Sequence, residues 1–171
     1  MSRDRDALYS EAAREWGAAL QRLARAHEAD PERRRDLLQE MHVTLWKSLG
    51  VFDGRCSMRT WVYRVASNVA ATHVARERRA RHPLVTLDGL EHLPADGLAH
   101  ERVETEAALS RLYALIHRLK APDRQVMTLY LEGLSAEAIG EVTALTPGAI
   151  ATRISRLKAL LAREFHETGH D

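Results

Sequence analysis

"LSAEAIGEVTALTPGAIATRISRLKALL", residues 134–161, holds two helix starts separated by a short break. Ser135 stands where a side-chain oxygen can accept from the free N–H groups of a first helical turn, and Ile139 and Val142 follow on one face. "TAL" interrupts this helix, and Thr146 with Pro147 starts a longer one, because the first turn has no use for the donor that proline lacks. Two helices joined by a three- or four-residue break form a helix-turn-helix, whose second helix enters the major groove of DNA. In that second helix Ile150, Ile154, Leu157 and Leu161 form the expected buried stripe, with Ala149, Thr152, Arg153 and Arg156 expected on the opposite one. Small residues near the helix start and arginines further along suit a groove, where they can meet base edges and phosphates.

Upstream, "LSRLYALIHRLK" (109–120) reads as an amphipathic helix with Leu109, Leu112, Ile116 and Leu119 on one side. "APDRQVMTLYLEG" (121–133) follows, with Pro122 near a helix start and Gly133 as a left-handed stop.

The amino-terminal half reads as three helices. The first, about 7–28, places Leu8, Ala12, Trp16, Ala19, Leu20 and Leu23 at helical spacing. The second starts at "DPERRRDLLQE" (30–40), where Asp30 caps and Pro31 fits the first turn; it carries Leu38, Met41, Leu45, Trp46 and Leu49 inward and ends at Gly50. The third, "SMRTWVYRVASNVAATHVARERRAR" (57–81), is capped by Ser57 and buries Met58, Trp61, Val62, Val65, Val69 and Val74. Its other face, Thr60, Arg64, Ser67, Asn68, Ala71 and Ala75, is small or polar and runs into a basic cluster. Such a surface lets a phosphate backbone or unpaired bases approach closely, while guanidiniums offer forked donors. A solvated face whose terminal charge complements the helix dipole is the alternative.

The chain has 171 residues, 45% of them hydrophobic and 29% charged, enough to bury one ordinary core or two small ones, and two is the expectation. Only 5% are aromatic, and residues that lose little rotamer freedom in a helix dominate. The net charge of +1 hides segregation: residues 59–81 hold six arginines against Glu77, while 83–108 hold six acids against Arg102. The acidic stretch contains Pro83, Gly89, Pro94 and Gly97 and reads as a linker, so the expected organisation is 1–82, a linker at 83–104, and 105–171. The lone Cys56 fits a reducing compartment, and the absence of a membrane-length apolar run or signal pattern leads to the expectation of a cytoplasmic protein without membrane insertion.

Two stretches resemble a known family. "DLLQEMHVTLWKSLGVFDGRCSMRTWVYRVASNVAATHVARERR" (36–79) is similar to the second region of bacterial extracytoplasmic-function (ECF) sigma factors, and "EGLSAEAIGEVTALTPGAIATRISRLKALLARE" (132–164) to their fourth. The resemblance implies an all-α protein of two small helical domains that binds core RNA polymerase and directs promoter recognition and melting at initiation. It implies polymerase docking by Asp36, Leu37, Gln39 and Glu40, and capture of the −10 element by Asp53, Gly54, Arg55, Ser57, Arg64 and Asn68. Trp61 and Tyr63 fall where the family melts the duplex, with packing the favoured role for Trp61. Thr146, Ala149, Thr152, Arg153 and Arg156 occupy the positions that meet the −35 element. An anti-sigma factor is the further partner implied, and in the family the linker runs towards the RNA exit path, where an acidic strand could mimic nucleic acid.

Three positions depart from the family pattern: Thr72 replaces a frequent acid, Ala144 the turn glycine, and Ala151 an early basic residue. Ala144 in a left-handed turn costs about 1 kcal/mol, so the turn is expected to be remodelled or strained.

Two other functions compete. "HETGH" (166–170) matches H-E-x-x-H, but Gly169 and the chain end at Asp171 argue against a shaped zinc site. With neither a Ser/His/Asp set nor a Gly-rich phosphate loop, no catalytic activity and no cofactor are expected. A stand-alone helix-turn-helix regulator would bind duplex sites by itself, usually as a dimer.

Overall fold

A long amino-terminal helix is dictated by apolar residues every third or fourth position over about five turns. The computed structural model describes residues 2–81 and 102–167 and forms it as α1 (Ser2–His27), with Ala12, Ala19, Leu20, Leu23 and Ala24 buried. Carbonyls at and just beyond its end find partners elsewhere: His117 Nε2 donates to Arg25 O at 2.7 Å, and Arg34 donates to Glu28 O at 3.0 Å and Ala29 O at 2.7 Å.

Asp30 then caps α2 (Pro31–Ser48), its Oδ1 accepting from Arg33 N at 2.9 Å. Leu37, Met41 and Leu45 form the buried stripe, each contributing about 1.5–3 kcal/mol through burial. Leu37 is the inward residue and Leu38 lies at the edge of the core, whereas the sequence predicts Leu38 in the stripe. A 3₁₀ turn, Leu49–Val51, ends the helix, and Ser57 caps α3 (Met58–Arg81) by accepting from Thr60 N at 3.0 Å.

Beyond the undescribed segment run α4 (Arg102–Arg118), α5 (Ala121–Leu131), α6 (Ala136–Thr143) and α7 (Pro147–Glu167). No strand occurs among the described residues. The linker expected at 83–104 lies mostly outside them, and α4 already begins at Arg102. In α4 the buried residues are Leu115 and Ile116, with Leu119 just beyond its end, whereas Leu109 is exposed. Arg124 donates to the carbonyls of His117 and Leu119 and so closes the α4 terminus.

The fold is all-α, with the two helical halves expected, but the cores do not divide between them. The larger core joins Leu20, Leu23, Met41, Val62 and Ala66 of α1–α3 to Val126, Leu129, Leu134, Ile139 and Ile150 of the carboxyl-terminal half. A smaller cluster, Leu115, Leu119, Met127, Leu157 and Leu161, holds α4, α5 and α7 together. The expectation of two separate cores is thereby corrected. α3 is the reason: it is apolar or small on most of its circumference, so it packs on α1 and α2 on one side and on α5 and α6 on the other.

Candidate nucleic-acid interface

The helix-turn-helix forms as the sequence predicts. Ser135 Oγ accepts from Ala138 N at 3.2 Å to start α6, and Thr146 Oγ1 accepts from Ala149 N at 3.3 Å to start α7. Between them Ala144 adopts the left-handed conformation (φ 61°, ψ 18°), its N–H bonding to Gly140 O at 2.9 Å. The turn is therefore not remodelled around the missing glycine. It is a left-handed turn built on a residue that is strained there. Gly140 permits the close crossing, since a Cβ at this position would lie 2.8 Å from the Leu145 carbonyl oxygen.

On α7, Ile150, Leu157 and Leu161 are buried, and Thr146, Ala149, Thr152 and Arg156 are exposed, from the cap to the middle of the helix. Arg153 departs from the expected opposite stripe. It lies three residues after Ile150 and four before Leu157, which places it on the flank of the buried face. Its side chain is 30% exposed and is tied to Asp123, whereas that of Arg156 is 67% exposed.

On the amino-terminal half, Asp53, Gly54, Arg55 and Ser57 form an exposed loop after the 3₁₀ turn. Asp53 Oδ1 accepts from Arg55 N at 3.1 Å, and Gly54 takes φ 75°. Asn68, Ala71 and Thr72 are exposed on α3, but Thr60 and Ser67 are buried, so the expected polar face is narrower than its sequence suggests. Arg64, a −10 candidate, donates to Glu141 O of α6 at 3.0 and 3.3 Å and is thereby turned towards the carboxyl-terminal half. Trp61 is half-buried, edge-on to Phe52, and donates through Nε1 to Ser48 Oγ at 3.0 Å; Tyr63 is buried. Both therefore pack in this state.

Among the polymerase candidates Asp36 and Gln39 are exposed, and Glu40 pairs with Arg76 at 2.9 Å. Leu37 is fully buried at 0% exposure and so serves the core rather than a docking surface.

The residues missed by the sequence reading are those that tie the halves together. Arg22 donates to both carboxylate oxygens of Glu132, at 2.7 and 2.8 Å, Tyr63 OH donates to Glu132 Oε2 at 3.1 Å, and Arg59 donates to Glu132 O at 3.2 Å. Burial, together with the Glu132 carboxylate beside it, pushes the Tyr63 phenol up to about 12, so it remains a donor at any ordinary pH. No local sequence signal marks such a pair.

No group of three or more potential metal-ligating His, Cys, Asp or Glu residues occurs among the described residues, and the Thr168–His170 part of "HETGH" lies outside them. No described helix is long and apolar enough to cross a membrane.

Residues 12–80 match the family Sigma-70 region 2, and residues 109–161 match Sigma-70, region 4. The chain is 32% identical over 137 residues to the RNA polymerase sigma-H factor of Pseudomonas aeruginosa, covering 75% of this chain and 71% of that protein. It is 28% identical over 154 residues to the ECF RNA polymerase sigma factor SigW of Bacillus subtilis, covering 85% and 79%. Among solved structures, the sigma factor RpoE in complex with the anti-sigma factor NepR from Bartonella quintana superposes with a TM-score of 0.71 at 17% identity, over 92% of this chain and 96% of that one. CnrH in complex with the cytosolic domain of CnrY gives 0.64 at 23% identity, over 94% and 95%. The two regions in order, and relatives that match across both, place the chain in the sigma-70 family, as an alternative sigma factor of the ECF group that acts in transcription initiation.

Proposed function

We propose that the two halves divide promoter recognition: residues 1–82 bind core RNA polymerase and the −10 element, and residues 105–171 bind the −35 element. The observation that carries this is the joint exposure of Thr146, Ala149, Thr152 and Arg156 over the first half of the second helix of a helix-turn-helix. Asp53, Gly54, Arg55 and Ser57, with Asn68, form the −10 surface, and Asp36, Gln39 and Glu40 form the polymerase surface. The protein works in the cytoplasm as a DNA-binding regulatory protein rather than an enzyme. An anti-sigma factor is the inhibitor that fits, since the neighbour RpoE is held by the anti-sigma factor NepR.

Arg64 joins the two halves only when the −10 surface and the helix-turn-helix lie side by side. The two promoter elements are separate stretches of one duplex, so in this reading the halves separate when both are engaged.

The test is to assemble surface variants with bacterial core polymerase. Arg156→Ala lowers promoter-dependent transcription without weakening polymerase assembly, and charge reversal at Asp36 and Glu40 weakens assembly. If Arg156→Ala abolished the polymerase complex, or if charge reversal left assembly intact, the division of surfaces would be wrong.

A further inference from the structure

Asp123 sits in the first turn of α5, preceded by Pro122 and 17% exposed, at the side of α7. Arg153 Nη1 donates to its Oδ1 at 2.5 Å, and Arg156 Nη2 lies 3.4 Å from both of its oxygens. The two arginines differ in what this carboxylate does to them. Arg153 is more than two-thirds covered, makes the shorter contact, and flanks Leu157 on the packed side of α7. Arg156 is two-thirds exposed and makes only the longer contacts, an ion pair of the kind that water and phosphate readily replace. The carboxylate also lies at the positive end of α5, where a negative charge is favoured in place.

We propose that Asp123 is a positioning residue for the recognition helix: it ties Arg153 to α5 as a strut, so that Arg156, and not Arg153, is the arginine that meets the −35 element. The inference rests on the −35 reading of α7 and assigns different tasks to two arginines that the sequence presents as equivalent. Their spacing gives the reason. Arg156 follows Thr152 by four residues and Ala149 by seven, in line with the exposed row, while Arg153, three after Ile150 and four before Leu157, falls between that row and the core.

The experiment uses the full chain assembled with core polymerase and a promoter recovered by run-off transcription, its −35 element randomised one base pair at a time. Asp123→Asn and Arg153→Ala each lower transcript yield by about tenfold, equally at every base pair; the double variant is no worse than the poorer single one, and Asp123→Glu recovers most of the loss. Arg156→Ala instead loses the preference at one base pair and reduces the salt slope of promoter binding by about 1. The proposal is overturned if Arg153→Ala loses a base preference of its own, lowers the salt slope, or adds in full to Asp123→Asn. Thermal unfolding of the same variants provides a readout that needs no promoter: the strut requires non-additive losses, and additive ones overturn it. Absence of transcripts from the unaltered chain would count against the sigma reading alone, because the unfolding cycle would still decide the strut.

Discussion

Arg22 and Glu132, 110 positions apart, meet through two parallel hydrogen bonds of 2.7 and 2.8 Å across the boundary between the two sigma regions. Arg22 is half exposed, so the pair alone contributes little, but Glu132 is nearly covered and also accepts from Tyr63. Glu132→Ala leaves a buried phenol without its acceptor and should lower stability by about 1–2 kcal/mol in urea unfolding. The same variant should lengthen the distance between dyes placed on α2 and α7, as a larger fraction of molecules opens. An unchanged distance distribution would show that the apolar seam, not Glu132, sets the closed state.

The turn of the helix-turn-helix carries two opposite predictions. Ala144 is held at φ 61°, so Ala144→Gly relieves strain and should raise stability by up to about 1 kcal/mol, or about 2–4 °C in Tm. Gly140→Ala should destabilise, because the new methyl would lie 2.8 Å from the backbone oxygen of Leu145, which has no flexible side chain to move. Calorimetry of both variants checks the pair; a destabilised Ala144→Gly would mean that the loss of side-chain contacts outweighs the strain.

Stability should fall with acid before the carboxylates titrate. His27 is buried with its Nδ1 donating to Leu23 O at 2.8 Å, and burial holds its imidazole down at about 4. The unfolded chain takes up this proton near pH 6.5 and the folded chain only near 4, so the unfolded state binds more protons between these values and stability drops as pH falls through that window. The full effect is of order 3 kcal/mol. Burial lowers His42 and His117 in the same direction. At Glu28, burial opposes ionisation but is outweighed by the His73 hydrogen bond, the Asp30 N–H and Arg33, so its depressed value adds a further loss at still lower pH. His27→Gln, which retains a donor for Leu23 O, should flatten the slope of urea stability between about pH 4.5 and 7. An unaltered slope would assign the acid sensitivity to other groups.

Local chemistry made the helices legible in the sequence. The caps Asp30, Ser57, Ser135 and Thr146 act at the positions their side chains predict, because each needs only neighbours two or three residues away. The buried residues Leu20, Met41, Val62, Ile139, Ile150 and Leu157 follow helical period for the same reason. What escaped were relationships over long separations. α3 has small residues on the face read as open, and small residues serve helix packing as well as nucleic-acid approach, so the burial of Thr60 and Ser67 against other helices could not be told from their types. Arg153 and Arg156 share a residue type, and only the arrival of Asp123 from another helix distinguishes them. Leu37 carries a resemblance to a docking position, yet its place on the α2 stripe sends it to the core.

The most direct test of the central claim is run-off transcription with the purified chain, bacterial core RNA polymerase and promoter fragments from the source genome. The account predicts discrete transcripts that require the chain, start at sites carrying both promoter elements, and decline when either element is altered. No transcripts, with tight binding of the chain alone to palindromic duplex sites, would contradict it.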